Sequence, residues 1–314
     1  MTFTHQQMQE ILPALQKKLR STAKPLLTFS VLDPDLGEGY AGKEIVIEGN
    51  TYLHRGYKAW TDLAELLGCK MLTPKVGQYP LVTLAFQKLQ TEDSFHLDTQ
   101  SSKEEKYGID SPFSEIHKME EPSFLYYYIQ ALNNVKVHER KRILNLGINR
   151  GDEFTAIKNL LDTNKYENME FVGIDHSKSA IAYAREIFSE KNMTFYTHDI
   201  NKLKSLDLGT FDLLISIGTL QSPSIHFKPF FMSLVQNYLN NDAAIILGFP
   251  NSRWVDGEMV YGAKVPNYAM SELGHMFSDV MFCKKYLQQK KYRVTITGKQ
   301  YLFFNSYQNK CLIV

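Results

Sequence analysis

Cysteine is scarce in this chain: three in 314 residues. Cys69, Cys283 and Cys311 form no C-x-x-C pair, so neither a zinc site nor a disulfide framework is expected. They read as three reduced thiols of a cytoplasmic protein. Long apolar runs are missing too, and nothing approaches the roughly 18 residues that span a bilayer. The first twenty residues lack the continuous apolar core of a secretion signal, because Gln6, Gln7, Gln9, Lys17 and Lys18 interrupt it. Neither sign of charge dominates. Thirty-five basic against 34 acidic side chains leave a net charge of +1, so the whole-chain field does not gather a polyanion. No internal repeat and no low-complexity tract is found.

What is present is enough apolar residue, 44%, for a sizeable core, at a length that suits two domains or one large domain with an extension. The stretch that organises the chain runs from Arg142 to Asp175. Ile143, Leu144, Leu146 and Ile148 make a short apolar run with no room for a helix before the glycines, which is how a buried parallel strand reads. Gly147 and Gly151 bracket a tight loop, with Asp152 expected as the helix N-cap. Phe154, Ile157, Leu160 and Leu161 then recur at helical spacing. A second apolar strand, Phe171 to Ile174, ends in Asp175. Strand, glycine loop, helix, strand and acid make one right-handed βαβ unit, whose terminal acid can accept two hydrogen bonds from a ribose diol.

A dinucleotide fingerprint wants three glycines spaced G-x-G-x-x-G. Here Gly147, Asn149 and Gly151 alternate and position 152 is not glycine. This pattern, with Asn145 before it, resembles the first motif of class I S-adenosylmethionine (SAM)-dependent methyltransferases over roughly residues 140 to 307. The resemblance implies a doubly wound α/β fold: a mostly parallel, seven-stranded, Rossmann-like sheet closed by a C-terminal antiparallel hairpin. It implies donor contacts from Asn145, Gly147, Ile148, Asn149 and Gly151, and from Asp175 with His176. Where the family has a middle glycine stands Asn149, which tolerates a left-handed backbone better than most residues. Asn145 replaces a carboxylate and brings no charge. Arg150 pairs with the SAM carboxylate or faces solvent.

Later landmarks agree with the resemblance. Ser177 to Glu190 reads as a helix capped by Ser177, and Met193 to Thr197 as a third strand. Asp199 and Ile200 follow, where the family places an acid on the adenine amino group and an apolar residue on the ring. Phe211 to Ile217 reads as a fourth strand, and the resemblance implies Ser216 and Ile217 beside the methionine part of the donor and Thr219, Gln221, Ser222 and His226 near the acceptor mouth. Phe227 to Leu239 reads as a helix and Ala243 to Phe249 as a fifth strand. Residues 250 to 268 read as a long loop at the same edge, offering Asn251, Arg253, Trp254 and Tyr261. A helix over 271 to 289 and two strands paired about Gly298-Lys299 complete the chain.

The N-terminal third matches no family, and residues 1 to 120 are expected as an α+β extension that recognises the acceptor, ahead of a SAM-binding domain over 121 to 314. Met8, Ile11, Leu12, Leu15 and Leu19 share one helical face. Leu26 to Leu32 reads as a strand, Glu44 to His54 as a hairpin turning at Gly49-Asn50, residues 58 to 71 as a helix, and 81 to 89 as a strand. Residues 91 to 111 read as a solvated loop or linker. A helix is expected from about Ser123 to Leu132, its Tyr126, Tyr127 and Tyr128 pointing three ways. His54, Arg55, Tyr57, Trp60 and Tyr127 are candidates for acceptor contacts, against a bland reading with Trp60 in the core and His54 and Arg55 on the surface.

Methyl transfer from a sulfonium needs alignment and exclusion of water, with a base only for a protonated acceptor, so no catalytic residue is readable. There is no Asp/Asn-Pro-Pro-Tyr motif after the fourth strand, and no metal ligand set is expected. The sequence favours a methyltransferase acting on a small-molecule N, O or S nucleophile. Two alternatives stay open: a tRNA or rRNA methyltransferase that uses Lys17, Lys18, Arg20 and the basic residues between Lys136 and Arg142, and a non-catalytic SAM-fold binding protein. A homodimer is also left open.

Overall fold

The computed structural model describes residues 1–21, 25–90, 105–261 and 273–308. Cys311 and residues 91–104 and 262–272 lie outside the described residues, and with them part of the expected linker and of the long loop. The chain divides into two compact units: Met1–Asp93 with Val255–Glu258, and Ser94–Trp254 with Met259–Val314.

In the N-terminal unit, β1 (Thr2–Phe3), β2 (Leu26–Leu32), β7 (Leu81–Lys88) and β5 (Cys69–Met71) form a sheet in that order, and β6 (Lys75–Val76) also pairs with β7. The helix α1 (Met8–Ser21) buries Ile11 and Leu15 completely, as its apolar stripe requires. Trp60, Leu63 and Ala64 of α2 (Tyr57–Leu66) join the same core with Phe29, Leu84 and Phe86. The expected helix over 58–71 is shorter than its apolar spacing suggests. Gly68 takes a φ of +67°, which ends the helix and lets Cys69–Met71 pair with β7 instead. The hairpin β3 (Glu44–Ile47) and β4 (Asn50–Leu53) turns one residue earlier than expected, at Glu48 and Gly49, both left-handed as a two-residue turn of matching twist demands.

The second unit is built on a seven-stranded sheet. Its elements run α3 (Pro122–Asn134), β8 (Arg142–Leu146), α4 (Asp152–Leu160), α5 (Thr163–Glu167), β9 (Glu170–Asp175), α6 (Lys178–Ile187) and β10 (Met193–Thr197). They continue with β11 (Phe211–Ile217), α7 (Phe227–Asn237), β12 (Leu239–Pro250), β13 (Ser252–Val255), β14 (Glu258–Tyr261), α8 (Leu273–Gln289), β15 (Tyr292–Gly298) and β16 (Tyr301–Gln308). The order across the sheet is β10-β9-β8-β11-β12-β16-β15, with β16 antiparallel to both of its neighbours. Side chains alternate between the faces, as the pleat dictates. Leu144, Val172, Leu214 and Ile245 face a core with Phe231 and Leu234 of α7 and Val280 of α8. Ile143, Phe171, Leu213 and Ile246 face the opposite core with Tyr128 of α3, Phe154 of α4 and Ile181 of α6. Both faces are covered, which is why these strands read as continuous apolar runs rather than alternating ones.

The start of the expected long loop is instead the β13–β14 hairpin, turning at Asp256 and Gly257, both with positive φ. Tyr126 is exposed, Tyr127 half-buried and Tyr128 fully buried, the three directions the sequence anticipates. Phe303 of β16 packs on Phe124 and Tyr128 of α3 with ring centroids 5.2 and 6.0 Å apart. Phe303→Ala is expected to lower stability by about 3–5 kcal/mol, the usual cost of emptying a fully buried aromatic site, read as a fall in the urea midpoint without a change in slope.

Candidate active site

The chain leaves β8 for one edge of the sheet and returns to β11 for the other, so the crevice of such a fold opens at the carboxyl ends of β8 and β11. Gly147 turns there with a φ of +76°, and a Cβ on it would collide with the Thr219 hydroxyl. Asn149 also has a positive φ, 47°, and Gly151 is left-handed at 90°. Gly151, not Asp152, is therefore the residue that caps α4. Asp152 sits in the first turn and pairs at 3.3 Å with Arg150.

Asp175, at the tip of β9, is 5% exposed. Its Oδ2 accepts from the Asn149 N–H at 2.9 Å and its Oδ1 from the Ser177 N–H at 3.0 Å. The carboxylate thus fixes the glycine loop while each oxygen keeps a second lone pair. His176 is exposed, with Nδ1 3.4 Å from the same carboxylate.

Residues 105–118 bind this loop directly. The Glu105 carboxylate accepts from the Lys178 N–H at 2.8 Å and from the Ser177 and Ser179 hydroxyls at 2.9 and 2.5 Å, at the start of α6. Burial works against the charged Glu105 carboxyl, yet these bonds hold it below its ordinary range. The Asn149 amide donates to the Tyr107 carbonyl at 2.6 Å. Arg150 donates to the carbonyls of Ser114 and Ile116 at 2.6 and 3.3 Å, so it neither faces solvent nor stands free for a ligand. Residues 105–111, expected as part of a solvated linker, are instead a strap tied to the glycine loop.

Behind the loop lies a buried polar group of residues. Asn145 is 1% exposed and its Nδ2 has no hydrogen-bond partner, although the Glu153 carboxylate is near enough to feel it. Glu153, in the first turn of α4, is 4% exposed. Burial raises its carboxyl to about 7, and the Lys118 ammonium pulls against that rise. Burial also works against the Lys118 ammonium, but Glu153, Tyr301 and Asp152 more than compensate, and it ends above its ordinary value despite Arg150. Burial raises the Tyr301 phenol, with Lys118 opposing. The Tyr301 hydroxyl lies 4.0 Å from where a Cβ would stand on Gly218, at the tip of β11.

The remaining candidates fall into three places. Beyond β10, exposed Asp199 caps the following turn by accepting from Asn201, and burial of Ile200 leaves it 9% exposed. At the β11 tip, Ser216 donates to the Leu146 carbonyl at 3.0 Å, Ile217 is buried, and the buried Gln221 Oε1 lacks a partner. Ser222 bonds Ser224 at 3.0 Å, His226 is exposed, and Tyr127 packs edge-on against Tyr126. Asn251 is spent on the 298–301 turn, donating to Lys299, while Arg253 is half-buried. In the N-terminal unit Tyr57 reaches Asp35 at 3.5 Å, and Trp60 is core, 2% exposed against Phe29. His54 and Arg55 are buried rather than on the surface.

Sequence reading missed Glu105, Lys118, Glu153 and Tyr301. Glu153 left a signal, an acid adjacent to Phe154 on the buried side of α4; the others are joined only by the fold. Among the described residues no group of three or more His, Cys, Asp or Glu could hold a metal ion, and no helix is long and apolar enough to cross a membrane.

The Glu153 carboxyl binds its proton more tightly folded, at about 7, than at its ordinary 4.5. Its contribution to stability is therefore present below about 4.5 and lost as pH rises through about 7. Glu153→Gln is expected to flatten this loss, which amounts to about 3 kcal/mol at most, seen in urea midpoints at pH 5 and 8.

Comparison with known proteins places the geometry. A family model described as "Methyltransferase domain" matches residues 137–300. No curated protein matches the chain. Among solved structures, the plantazolicin methyltransferase BpumL in complex with a monoazolic desmethylPZN analog and SAH is 14% identical, with 62% of this chain and 86% of that one covered and a TM-score of 0.43. A SAM-dependent methyltransferase from Aquifex aeolicus is 16% identical, with 62% and 96% covered and a TM-score of 0.41. A precorrin-6y C5,15-methyltransferase from Geobacter metallireducens is 12% identical, with 59% and 88% covered and a TM-score of 0.40. The family match spans just over half of the chain, including the glycine loop, Asp175 and every parallel strand of the seven-stranded sheet, and the chain belongs to the methyltransferase-domain family.

Proposed function

We propose that the chain is a SAM-dependent methyltransferase acting on a small molecule. The observation that carries this reading is the junction of two strand tips: a left-handed loop over Gly147 and Asn149, and the Asp175 carboxylate holding it. The residues fit SAM. Asp175 keeps lone pairs for the ribose diol, Ile200 offers an apolar face for the adenine, and Asp199 offers an acceptor for its amino group. The methionine end of SAM carries an ammonium and a carboxylate. Glu153 suits the first, while Lys118 and the unpartnered Asn145 amide suit the second.

SAM supplies an electrophilic methyl group on a sulfonium. The protein's share is to hold the donor, bring the acceptor into line and keep water out. The strap over residues 105–118, tied to Asn149 and Arg150, serves the last of these. Acceptor contacts are assigned to Gln221, Ser222, His226 and Arg253. A net charge of +1 and the lack of a basic stripe favour a small acceptor over a polyanion.

Calorimetry with SAM and S-adenosylhomocysteine tests the reading, and folded protein that gives no heat with either ligand would sink it. Asp175→Ala is expected to weaken SAM by about 1–3 kcal/mol, through lost ribose bonds and a loosened loop. SAM should also tighten as pH rises through about 7, because its ammonium favours ionised Glu153. Binding heats in buffers of different ionisation enthalpy should then report proton release near neutrality, and Glu153→Gln should abolish it.

A further inference from the structure

Asp175 and the strap bridge the same two residues. The carboxylate accepts from the backbone N–H groups of Asn149 and Ser177 at 2.9 and 3.0 Å. The side chains of those same residues hold the strap: the Asn149 amide donates to the Tyr107 carbonyl at 2.6 Å, and the Ser177 hydroxyl to Glu105 Oε2 at 2.9 Å. Residues 105 and 107 are at most about 7 Å apart along an extended chain. The strap therefore runs from one neighbour of the carboxylate to the other, and Asp175 is 5% exposed.

Glu105 carries the attachment at the α6 end. Its Oε1 also accepts from the Lys178 N–H at 2.8 Å and its Oε2 from the Ser179 hydroxyl at 2.5 Å, while the Ser179 Oγ accepts from the Ile109 N–H at 3.0 Å. Gly108 permits this fit, because a Cβ there would run into Glu105 Oε2 and Ser179 Oγ. The same bonds hold the Glu105 carboxyl below its ordinary range against its burial, so an ionised acid makes the attachment. Gly108, Ser111, Ser114 and Ile116 donate their N–H groups to carbonyls within the strap, and the bonds to Asn149, Ser177 and Ser179 run through side chains. The strap can thus lift without unravelling the sheet or α6.

We propose that Glu105 is a positioning residue for the donor: its carboxylate latches the strap beside Asp175 to the start of α6, and SAM enters and leaves only when that latch opens. Glu105 acts through Ser177 and Ser179 and does not touch the reacting atoms. This role rests on SAM binding at Asp175, as proposed above, and adds a control on its exchange.

Stopped-flow binding of S-adenosylhomocysteine to the full chain tests the latch, with calorimetry for affinity. In the wild type the observed rate should level off as the ligand concentration rises, because opening of the latch becomes limiting. Glu105→Ala should raise the association and dissociation rates together, each by about tenfold, with Kd changed by no more than about threefold. Ser179→Ala, which removes one bond and leaves the Ser177 cap, should raise both rates by less, and its rates decide the matter should Glu105→Ala not fold. A merely structural role would raise dissociation alone and weaken Kd in proportion. A wild-type rate that climbs linearly throughout, or variants in which dissociation alone or neither rate changes, overturns the latch while SAM binding stands. Folded wild-type protein that gives no heat with S-adenosylhomocysteine overturns the latch and the donor reading together.

Discussion

The second unit depends on one carboxylate. Asp175 ends β9, yet its oxygens bond backbone N–H groups on both sides: Asn149 in the loop after β8 and Ser177 at the start of α6. The β8–β9 pairing ends with Gly147 and Ile148, which both donate to the Ile174 carbonyl, and beyond them a loop through left-handed Asn149 and Gly151 needs a further reason to keep its shape. A charge-assisted bond from a buried acid supplies that reason. The left-handed conformation of the glycine loop and the start of α6 are thus set by the same side chain.

Around that anchor the charges are arranged in opposition. Glu105 caps α6, where the positive end of the helix and two serine hydroxyls meet it. Glu153 has weaker support, from its own backbone N–H and the Asn145 side chain, which does not offset its burial. It lies under an uncharged amide with an ammonium outside ion-pair distance, and its proton affinity rises accordingly. Two acids of the same family of side chain, both close to the glycine loop, are thus pushed in opposite directions by their surroundings.

Much of this was legible from the chain. The strands from Ile143 to Phe249 carry apolar runs on both faces, and such runs between glycine and acid punctuation have few other readings. Asn149 at a left-handed position followed from its place where the resembled family has a glycine, together with its tolerance of that backbone. Boundaries failed where backbone geometry overrode apolar spacing: Gly68 stopped α2 five residues before the expected end, and Gly151 took the capping place from Asp152. The strap was illegible because its composition is that of a linker; what holds it are contacts to residues some forty to seventy positions away. Trp60 was open between a ligand contact and the core and is core, for an aromatic at helical spacing serves either end. Lys118 and Tyr301 come together only in the folded chain: the closing hairpin was expected, but no local pattern sets its strand β16 beside residue 118.

The manner in which the strap is tied has an evolutionary corollary. Asn149 and Arg150 hold Tyr107, Ser114 and Ile116 by their carbonyl oxygens. Every amino acid carries that atom, so the tether is blind to which side chains occupy those positions. Mutational drift there is free to change the strap's side chains while leaving its attachment to the loop intact. The strap's outer surface can therefore change while the glycine loop that holds it stays as it is.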